Sequence, residues 1–414
     1  MFVLEFKVKA KTQQYKAIDD AIRTSQFIRN KCVRLWIDTK GTGKNDLYKY
    51  SKKLAHDFNF ANELNSTARQ ASAEKAWSSI SRFYDKCKRK VSGKKGYPQF
   101  KKFSRSVEYK QSGWKLLNLK TIKFTDKKNI GVLKLVGTWD LGYFNESDIK
   151  RVRLVRRADG YYCQFVLSCE VKEDVKPSGK CIGLDVGLSS FYTDHEGNKI
   201  DNPKFLRKSE KRLKRFQRRL SKKKKGSSNR QKARIKLAKV HLKVSRQRKD
   251  FAVKLARCVV HSNDVIAYED LRVKNLVKNH CLAKSINDVA WYQFREWLEY
   301  FGQKMGKITI AVAPHYTSQN CSQCGETVKK SLSTRTHQCK CGCVLDRDEN
   351  AAINILKKAI QCGLGGSRRE QLNQEGLNTV GHTGFQAWEE VSSTLEEVIL
   401  LGQDISVNQE STRL

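Results

Sequence analysis

Residues 181–187 read Cys-Ile-Gly-Leu-Asp-Val-Gly, a short apolar run that ends in a carboxylate and a glycine. The run predicts a buried strand with Asp185 at its end. Before it, Lys176-Pro177-Ser178-Gly179 reads as a break between units. After it, residues 189–194 can return antiparallel, and His195-Glu196-Gly197-Asn198 supplies the next turn. Two more strands are expected at 264–268 and 308–313, the first of them just before Glu269. A helix fits 350–359, with Asp348 just ahead of it. A strand end fixes a side chain rigidly, as a metal site requires. Asp185, Glu269 and Asp348 thus offer hard oxygen ligands to two Mg²⁺ ions, one to activate water and one to stabilise a departing phosphoester oxygen. Taken singly, each acid reads as a cap or a turn residue, and Asp348 would complement a helix dipole. Asp270 and Asp346 stand beside the candidates as adjacent-turn residues.

Cysteine spacing gives a second site. Of 13 cysteines, nine are scattered, whereas Cys321-Ser-Gln-Cys324 and Cys339-Lys-Cys341-Gly342 form two pairs fourteen residues apart. Four thiolates on two short knuckles suit a closed tetrahedral Zn²⁺, structural because no position remains for a substrate. The second knuckle is a C-x-C, so Cys343 and His337 stand as alternatives for the fourth ligand. A chain without a signal peptide is expected in a reducing cytoplasm, where such a cluster binds metal rather than forming disulfides. The start, MFVLEFKVKAK, shows no apolar segment followed by a small-residue cleavage site.

Charge then names the partner. Of 414 residues, 82 are Lys or Arg and 42 are Asp or Glu, a net charge of +40. So large an excess calls for a polyanion. No apolar run is long enough to span a membrane, which leaves nucleic acid ahead of an anionic lipid surface. The 204–249 stretch holds 22 basic residues and one acid, Glu210. It reads as two helices broken at Gly226-Ser227-Ser228, with apolar stripes Leu206-Leu213-Phe216-Leu220 and Ile235-Ala238-Leu242. Its basic backs, including Arg218, Arg219, Lys223 and Lys224, are candidate nucleic-acid contacts. Residues 372–412 invert the pattern, with seven acids and no Lys or Arg; without them and Arg413 the first 371 residues carry +46. Disorder is expected over most of 366–414, although Trp388, Val391, Leu395, Val398 and Leu401 could form an amphipathic helix.

The first half mixes periods. Phe2, Leu4, Phe6 and Val8 alternate as a half-buried strand. Helical spacing follows over 15–36, and again over about 66–87 through Ala73, Trp77, Ile80, Tyr84 and Cys87. Strand signals return at 132–136, 151–156 and 161–171, the last two flanking the turn Ala158-Asp159-Gly160. A small β-barrel built from 1–10 and 115–172, with a helical insertion at 11–114, accounts for this order. Tyr97, Phe100, Lys101, Lys102, Phe103, Arg105 and Tyr109 interleave aromatic and basic residues, as a surface for phosphates and splayed bases would. No P-loop, dinucleotide fingerprint or nucleophilic triad is present in the sequence.

The order strand-Asp185, basic hairpin, strand-Glu269, cysteine knuckle and Asp348-x-Asn350-Ala351-Ala352 resembles the TnpB family, transposon-encoded proteins ancestral to the compact type V CRISPR effectors. The matching stretches are GLDVG (183–187), AYEDL (267–271), SQNCSQCG (318–325) and LDRDENAAINIL (345–356), with KKGYPQFKK (94–102) earlier. Gln99 replaces a basic residue there, and Cys339-Lys-Cys341 shortens the family's C-x-x-C. The resemblance implies an α/β multidomain chain. A β-barrel wedge domain carrying a helical recognition insertion precedes an RNase H-like RuvC nuclease core at 173–315 and 344–365, and a zinc knuckle occupies 316–343. It implies a monomer with one guide RNA from the transposon end, acting on target double-stranded DNA in a prokaryotic cytoplasm near the nucleoid, away from membranes. Protein would read a short flanking motif, with Ser66 and Gln70 facing a groove. Two other functions fit the residues: a guided DNA-binding regulator or transposition accessory that does not cut, and a guide-free resolvase or transposase of the RNase H fold.

Overall fold

Alternation at the N-terminus produces β1 (Phe2–Lys9), and in the computed structural model Leu4, Phe6 and Val8 are buried. The structure describes residues 2–169, 172–331 and 334–364. Two units divide the chain, Met1–Glu170 and Val171–Leu414. The acidic stretch 366–414 lies outside the described residues.

In the first unit β1 is followed by α1 (Thr12–Asp38), α2 (Lys44–Asp57), α3 (Asn59–Asn62) and α4 (Ser66–Lys88). Strands β2 (Ser106–Tyr109), β3 (Trp114–Asn118), β4 (Thr121–Phe124), β5 (Val132–Val136), β6 (Ile149–Arg157) and β7 (Gly160–Leu167) complete it. The helical spacing holds for α1, where Ile18, Ile22, Ser25, Ile28 and Cys32 are buried. On α4, Ala73 and Ile80 turn inward, but Tyr84 is 47% exposed, so the expected face runs out before the helix does.

The seven strands run in the order β2-β6-β7-β1-β5-β4-β3, every pairing antiparallel. This corrects the expected barrel in two ways. The sheet takes in β2 and Trp114, inside the range assigned to the helical insertion. It is also open, since β2 and β3 end the order and do not pair among the described residues. Helices cover its face instead: Ile18, Ile22, Ala68 and Ile80 share one apolar core with Leu4, Phe6, Tyr109 and Phe124. A face covered by helices does not need a second half-sheet folded onto it. One carboxylate is enclosed here. The Glu108 side chain is fully buried, and although burial opposes its charge, Lys75, Arg153 and Arg151 hold its carboxyl down to about 2.

The second unit opens with β8 (Cys181–Val186), β9 (Ser190–Asp194) and β10 (Lys199–Asp201). Helices α5 (Phe205–Ser221) and α6 (Ser228–Ser262) form the basic hairpin ahead of β11 (Val265–Glu269). Then come α7 (Val273–Leu276), α8 (His280–Val289), α9 (Trp291–Met305) and β12 (Ile308–Val312). The short strands β13 (Thr336–Gln338) and β14 (Val344–Asp346) lead into α10 (Arg347–Leu364). The sheet order is β10-β9-β8-β11-β12, with β8, β11 and β12 parallel and β9 and β10 antiparallel. Ile182, Leu184, Ile266 and Tyr268 pack with α6 and α9 on one face. Ala267 and Val312 pack with Ile355 and Ala359 of α10 on the other. The hairpin core is Leu213, Leu237 and Val240, with Leu206, Phe216 and Leu220 against it. Ile235, placed in the second stripe from the sequence, is instead 39% exposed, because α6 presents the row through Leu237 and Val240 to α5. Among the described residues, no helix is long and apolar enough to cross a membrane.

Candidate functional site

Parallel pairing of β8 and β11 matches Ala267 with Gly183 and Tyr268 with Leu184, which carries the register on to Glu269 beside Asp185. Side chains alternate along a strand. The two acids therefore share a face with Gly183 and Ala267, the face that α10 covers. Gly183 makes this possible. A Cβ there would lie 2.3 Å from the Ala352 carbonyl oxygen and 2.8 Å from Leu356 Cβ. The missing side chain lets the helix lie directly on the strand, and Asp348 sits in that helix's first turn.

The electrostatics couple the three acids. Burial pushes the Asp185 carboxyl well above the usual carboxylate range, the charges on Glu269 and Asp348 push it further, and Arg347 opposes them. Burial also raises Glu269, against a hydrogen bond donated by the Thr317 hydroxyl and the charge of Lys358. Asp348 lies 3.4 Å from the Arg335 guanidinium. Their neighbours are committed elsewhere. Asp346 accepts from the Asp348 amide at 2.9 Å and pairs with Lys199 at 2.6 Å, while Asp270 pairs with Arg295. The three acids are looser than a closed metal cage: the ligand groups whose atoms all lie within 4.8 Å of one another, among the described residues, are cysteine clusters.

One such cluster is Cys321, Cys324, Cys339 and Cys341. Cys321 and Cys341 place their Sγ atoms 3.6 Å apart, as do Cys324 and Cys339. A tetrahedron of ~2.3 Å Zn–S bonds sets its sulfurs roughly 3.8 Å apart, so this cluster could hold a zinc ion despite the shortened second knuckle. Burial raises the Cys321 thiol, but the amides of Cys324 and Gln323 and the side chains of His337 and Cys341 bring it down to about 5. Gly325 (φ +82°) and Gly342 (φ +89°) take the left-handed conformation that turns each knuckle. A second group, Cys321, His337 and Cys343, shares one ligand with the first and is wholly buried.

The knuckle is fastened to the acid-bearing helix. Asn350 and Asn354, one turn apart on α10, both donate to the Asn320 carbonyl, at 2.8 and 2.7 Å. Asn350 also accepts from the Ser322 amide at 2.9 Å, and Asn354 donates to the Thr317 carbonyl at 2.9 Å. Strand β14, returning from the second knuckle, runs straight into α10. Sequence reading does not single out Thr317, Asn354 or Lys358. The four-residue spacing of the two asparagines was the available signal.

The candidate nucleic-acid residues separate by unit. Ser66 and Gln70 are exposed one turn apart at the start of α4. Tyr97, Lys101 and Lys102 are exposed on a segment clamped by α1, whereas Tyr109, grouped with them in the sequence, is fully buried because β2 carries it into the apolar core of the sheet. Gln26 donates to the carbonyls of Lys101 and Lys102, and Asn30 both donates to and accepts from the Lys101 backbone. Arg218, Arg219, Lys223 and Lys224 are exposed near the tip of the α5–α6 hairpin in the second unit.

Known proteins match over these elements. The family model OrfB_IS605, described as "Probable transposase", covers residues 164–280, and the model described as "Cas12f1-like, TNB domain" covers 291–355. A Streptomyces pristinaespiralis protein named "Putative RNA-guided DNA endonuclease" is 31% identical over 338 residues, 79% of this chain and 81% of its own. An Escherichia coli K12 protein named "Putative RNA-guided DNA endonuclease InsQ" is 29% identical over 225 residues, 50% of this chain and 56% of its own. In fold, the chain resembles the protein in the "Cryo-EM structure of the Cas12f1-sgRNA-target DNA complex", with a TM-score of 0.53, 15% identity and 83% of each chain covered. Identity sustained along the Streptomyces protein, together with the model match across β8, the hairpin and β11, makes this chain a member of the OrfB_IS605, or TnpB, family.

Proposed function

We propose that this chain is an RNA-guided DNA endonuclease that cuts with Asp185, Glu269 and Asp348. The observation that carries the reading is the adjacency of Asp185 and Glu269 in register, on the face where α10 delivers Asp348. Acids gathered and partly desolvated, with the Asp185 carboxyl pushed up by its neighbours, form a donor set that a divalent cation would relieve. Two Mg²⁺ ions, when bound, would activate water and neutralise the departing oxygen, leaving 5′-phosphate and 3′-hydroxyl ends. The chain's own part is to hold three carboxylates at the ends of rigid elements. Thr317 orients Glu269, and Arg335 stands beside Asp348 where a phosphate charge would need a donor.

In this reading residues 173–315 and 344–365 are the RuvC-like nuclease core. Residues 316–343 are a zinc knuckle that fixes the start of α10 through Asn350 and Asn354. The sheet of the first unit is the wedge, with α1–α4 as its recognition insertion. A guide RNA from the transposon end pairs with the target strand, while Ser66 and Gln70 read the short flanking motif in duplex DNA. The exposed bases of Arg218, Arg219, Lys223 and Lys224, and the clamped Tyr97–Lys102 segment, hold backbone phosphates. One chain serves one RNA, in the cytoplasm beside the nucleoid. The names of the relatives and the fold likeness to a complex of RNA and DNA support this reading.

Reprogramming tests it. The chain is purified from cells carrying its native flanking DNA, the bound RNA is sequenced, and its guide segment is exchanged. Cutting that moves to the new matching sequence supports the reading. Robust cutting without bound RNA would sink the guided part, and guide-matched binding with no cutting would leave a regulator.

A further inference from the structure

A recess of about 230 Å³ opens on the turn that follows Asp185. Its walls include Ser189 from that turn, Asn202 and Lys204 from the approach to α5, Arg207 from the helix itself, and Lys284 and Asp288 from α8. The recess is built rather than incidental. Asn202 donates to the Leu188 carbonyl at 3.0 Å and accepts from the Lys204 amide at 3.1 Å, so one side chain ties two walls together. Lys204 adopts φ +48° and ψ +49°, a left-handed conformation that costs a lysine on the order of 1 kcal/mol and is retained where surrounding structure demands it.

The helix amides do not supply the chemistry of this recess. Asp288, buried, accepts from the amides of Leu206 at 2.8 Å and Arg207 at 3.2 Å, and pairs with Arg248 at 2.9 Å. Its charge and those donors are already matched. Lys284 pairs with Glu210 at 2.6 Å. That leaves Lys204 and Arg207, both exposed and without an ion pair among the described residues, as the uncompensated charge. The space falls below the ~300–1,000 Å³ of a typical small-molecule pocket, which favours a single group over a whole nucleotide. A phosphate fits that size, and a guanidinium fork can bond two of its oxygens at once.

We propose that this recess binds one backbone phosphate of the DNA strand presented to the acids, a few nucleotides from the bond that is cut, with Lys204 and Arg207 as phosphate-positioning residues. The assignment to DNA rests on the reading of Asp185 as part of the cutting site, because Ser189 lies in the turn that leaves the strand carrying Asp185. Such a contact would hold the strand's direction through the site without touching the reacting atoms.

The test reads binding rather than turnover. RNA-loaded complexes carrying Asp185→Ala, alone and combined with Arg207→Gln or Lys204→Gln, are titrated with guide-matched DNA. A single uncharged methylphosphonate is stepped along each strand, and in a parallel series along the RNA. Each Gln variant should weaken DNA binding about three- to tenfold and reduce the salt slope by about one. One methylphosphonate position on a DNA strand should weaken the parent complex but not the Arg207→Gln complex, and Arg207→Lys should restore part of the loss. Coupling found on the RNA, or at no position, overturns the proposal. Two separate substitutions guard against a folding defect in either one. Should the complex carrying Asp185→Ala still cut DNA, the nuclease reading falls, while the phosphate map remains an independent answer.

Discussion

Asp185 and Glu269 are strained as charges before they are useful as ligands. A carboxyl whose folded pKa is raised favours the fold only while protonated. That contribution is complete below the unfolded pKa, ~3.9 for Asp, and is lost once the pH passes the folded value. Since both acids are raised, they oppose the metal-free fold at neutral pH. Asp185→Asn should therefore raise the melting temperature of the metal-free chain by about 2–4 °C at pH 7.5, and the gain should vanish towards pH 4. Added Mg²⁺ should stabilise the native chain more than the variant. A variant that melts below the native chain would contradict this account. The cysteines make a second case at this scale. Because Cys341 belongs to the four-sulfur group and Cys343 only to the one sharing Cys321, Cys343→Ser should keep one zinc per chain on elemental analysis, and Cys341→Ser should lose it. The reverse result would move the ion to the Cys321, His337 and Cys343 group. The acids were legible in sequence because each stands at the end of an apolar run or the start of a helix. Thr317 and Lys358 were not, since a hydroxyl and an amine that come together only through folding carry no local pattern.

Between elements, the decisive contact is α10 on β8. Gly183→Ala would set a methyl against the Ala352 carbonyl and Leu356, and backbone cannot yield as a flexible side chain does. Overpacking of this kind typically costs about 1–3 kcal/mol. The helix must shift, and Asp348 shifts with it. We expect Gly183→Ala to lower chemical-denaturation stability by that amount and cleavage by at least tenfold; full activity would show that Asp348 does not depend on this seating. Periodicity revealed α1, α4, α5 and α10 in the sequence because each keeps an apolar row. It missed α2, whose buried row mixes Leu47, Ser51, Leu54 and Ala55. It also placed the second hairpin stripe one row off at Ile235. Closure of the first sheet was beyond it altogether. Alternation fixes which side of a strand is buried, but whether β2 meets β3 depends on helices supplied from far along the chain.

At the scale of the whole chain, the +40 charge acquires an address. The hairpin packs through Leu213, Leu237 and Val240 and leaves most of its arginines and lysines outside, so their charge is available to a polyanion. Replacing Arg218, Arg219, Lys223 and Lys224 together with Gln should weaken nucleic-acid binding without unfolding the chain. The slope of log affinity against log salt should fall by about 3.6, near 0.9 for each of the four lost duplex contacts. An unchanged slope would place the phosphates elsewhere. The central claim remains that three acids drawn from β8, β11 and α10 cut DNA at a sequence chosen by RNA. Its most direct test is cleavage of a guide-matched plasmid by RNA-loaded native chain in parallel with Asp185→Ala, Glu269→Ala and Asp348→Ala, with Mg²⁺ and with EDTA. The account predicts cutting by the native chain with Mg²⁺ alone, and undiminished guide-matched binding but no cutting by each variant. Cutting by any of the three variants at the native rate would contradict it.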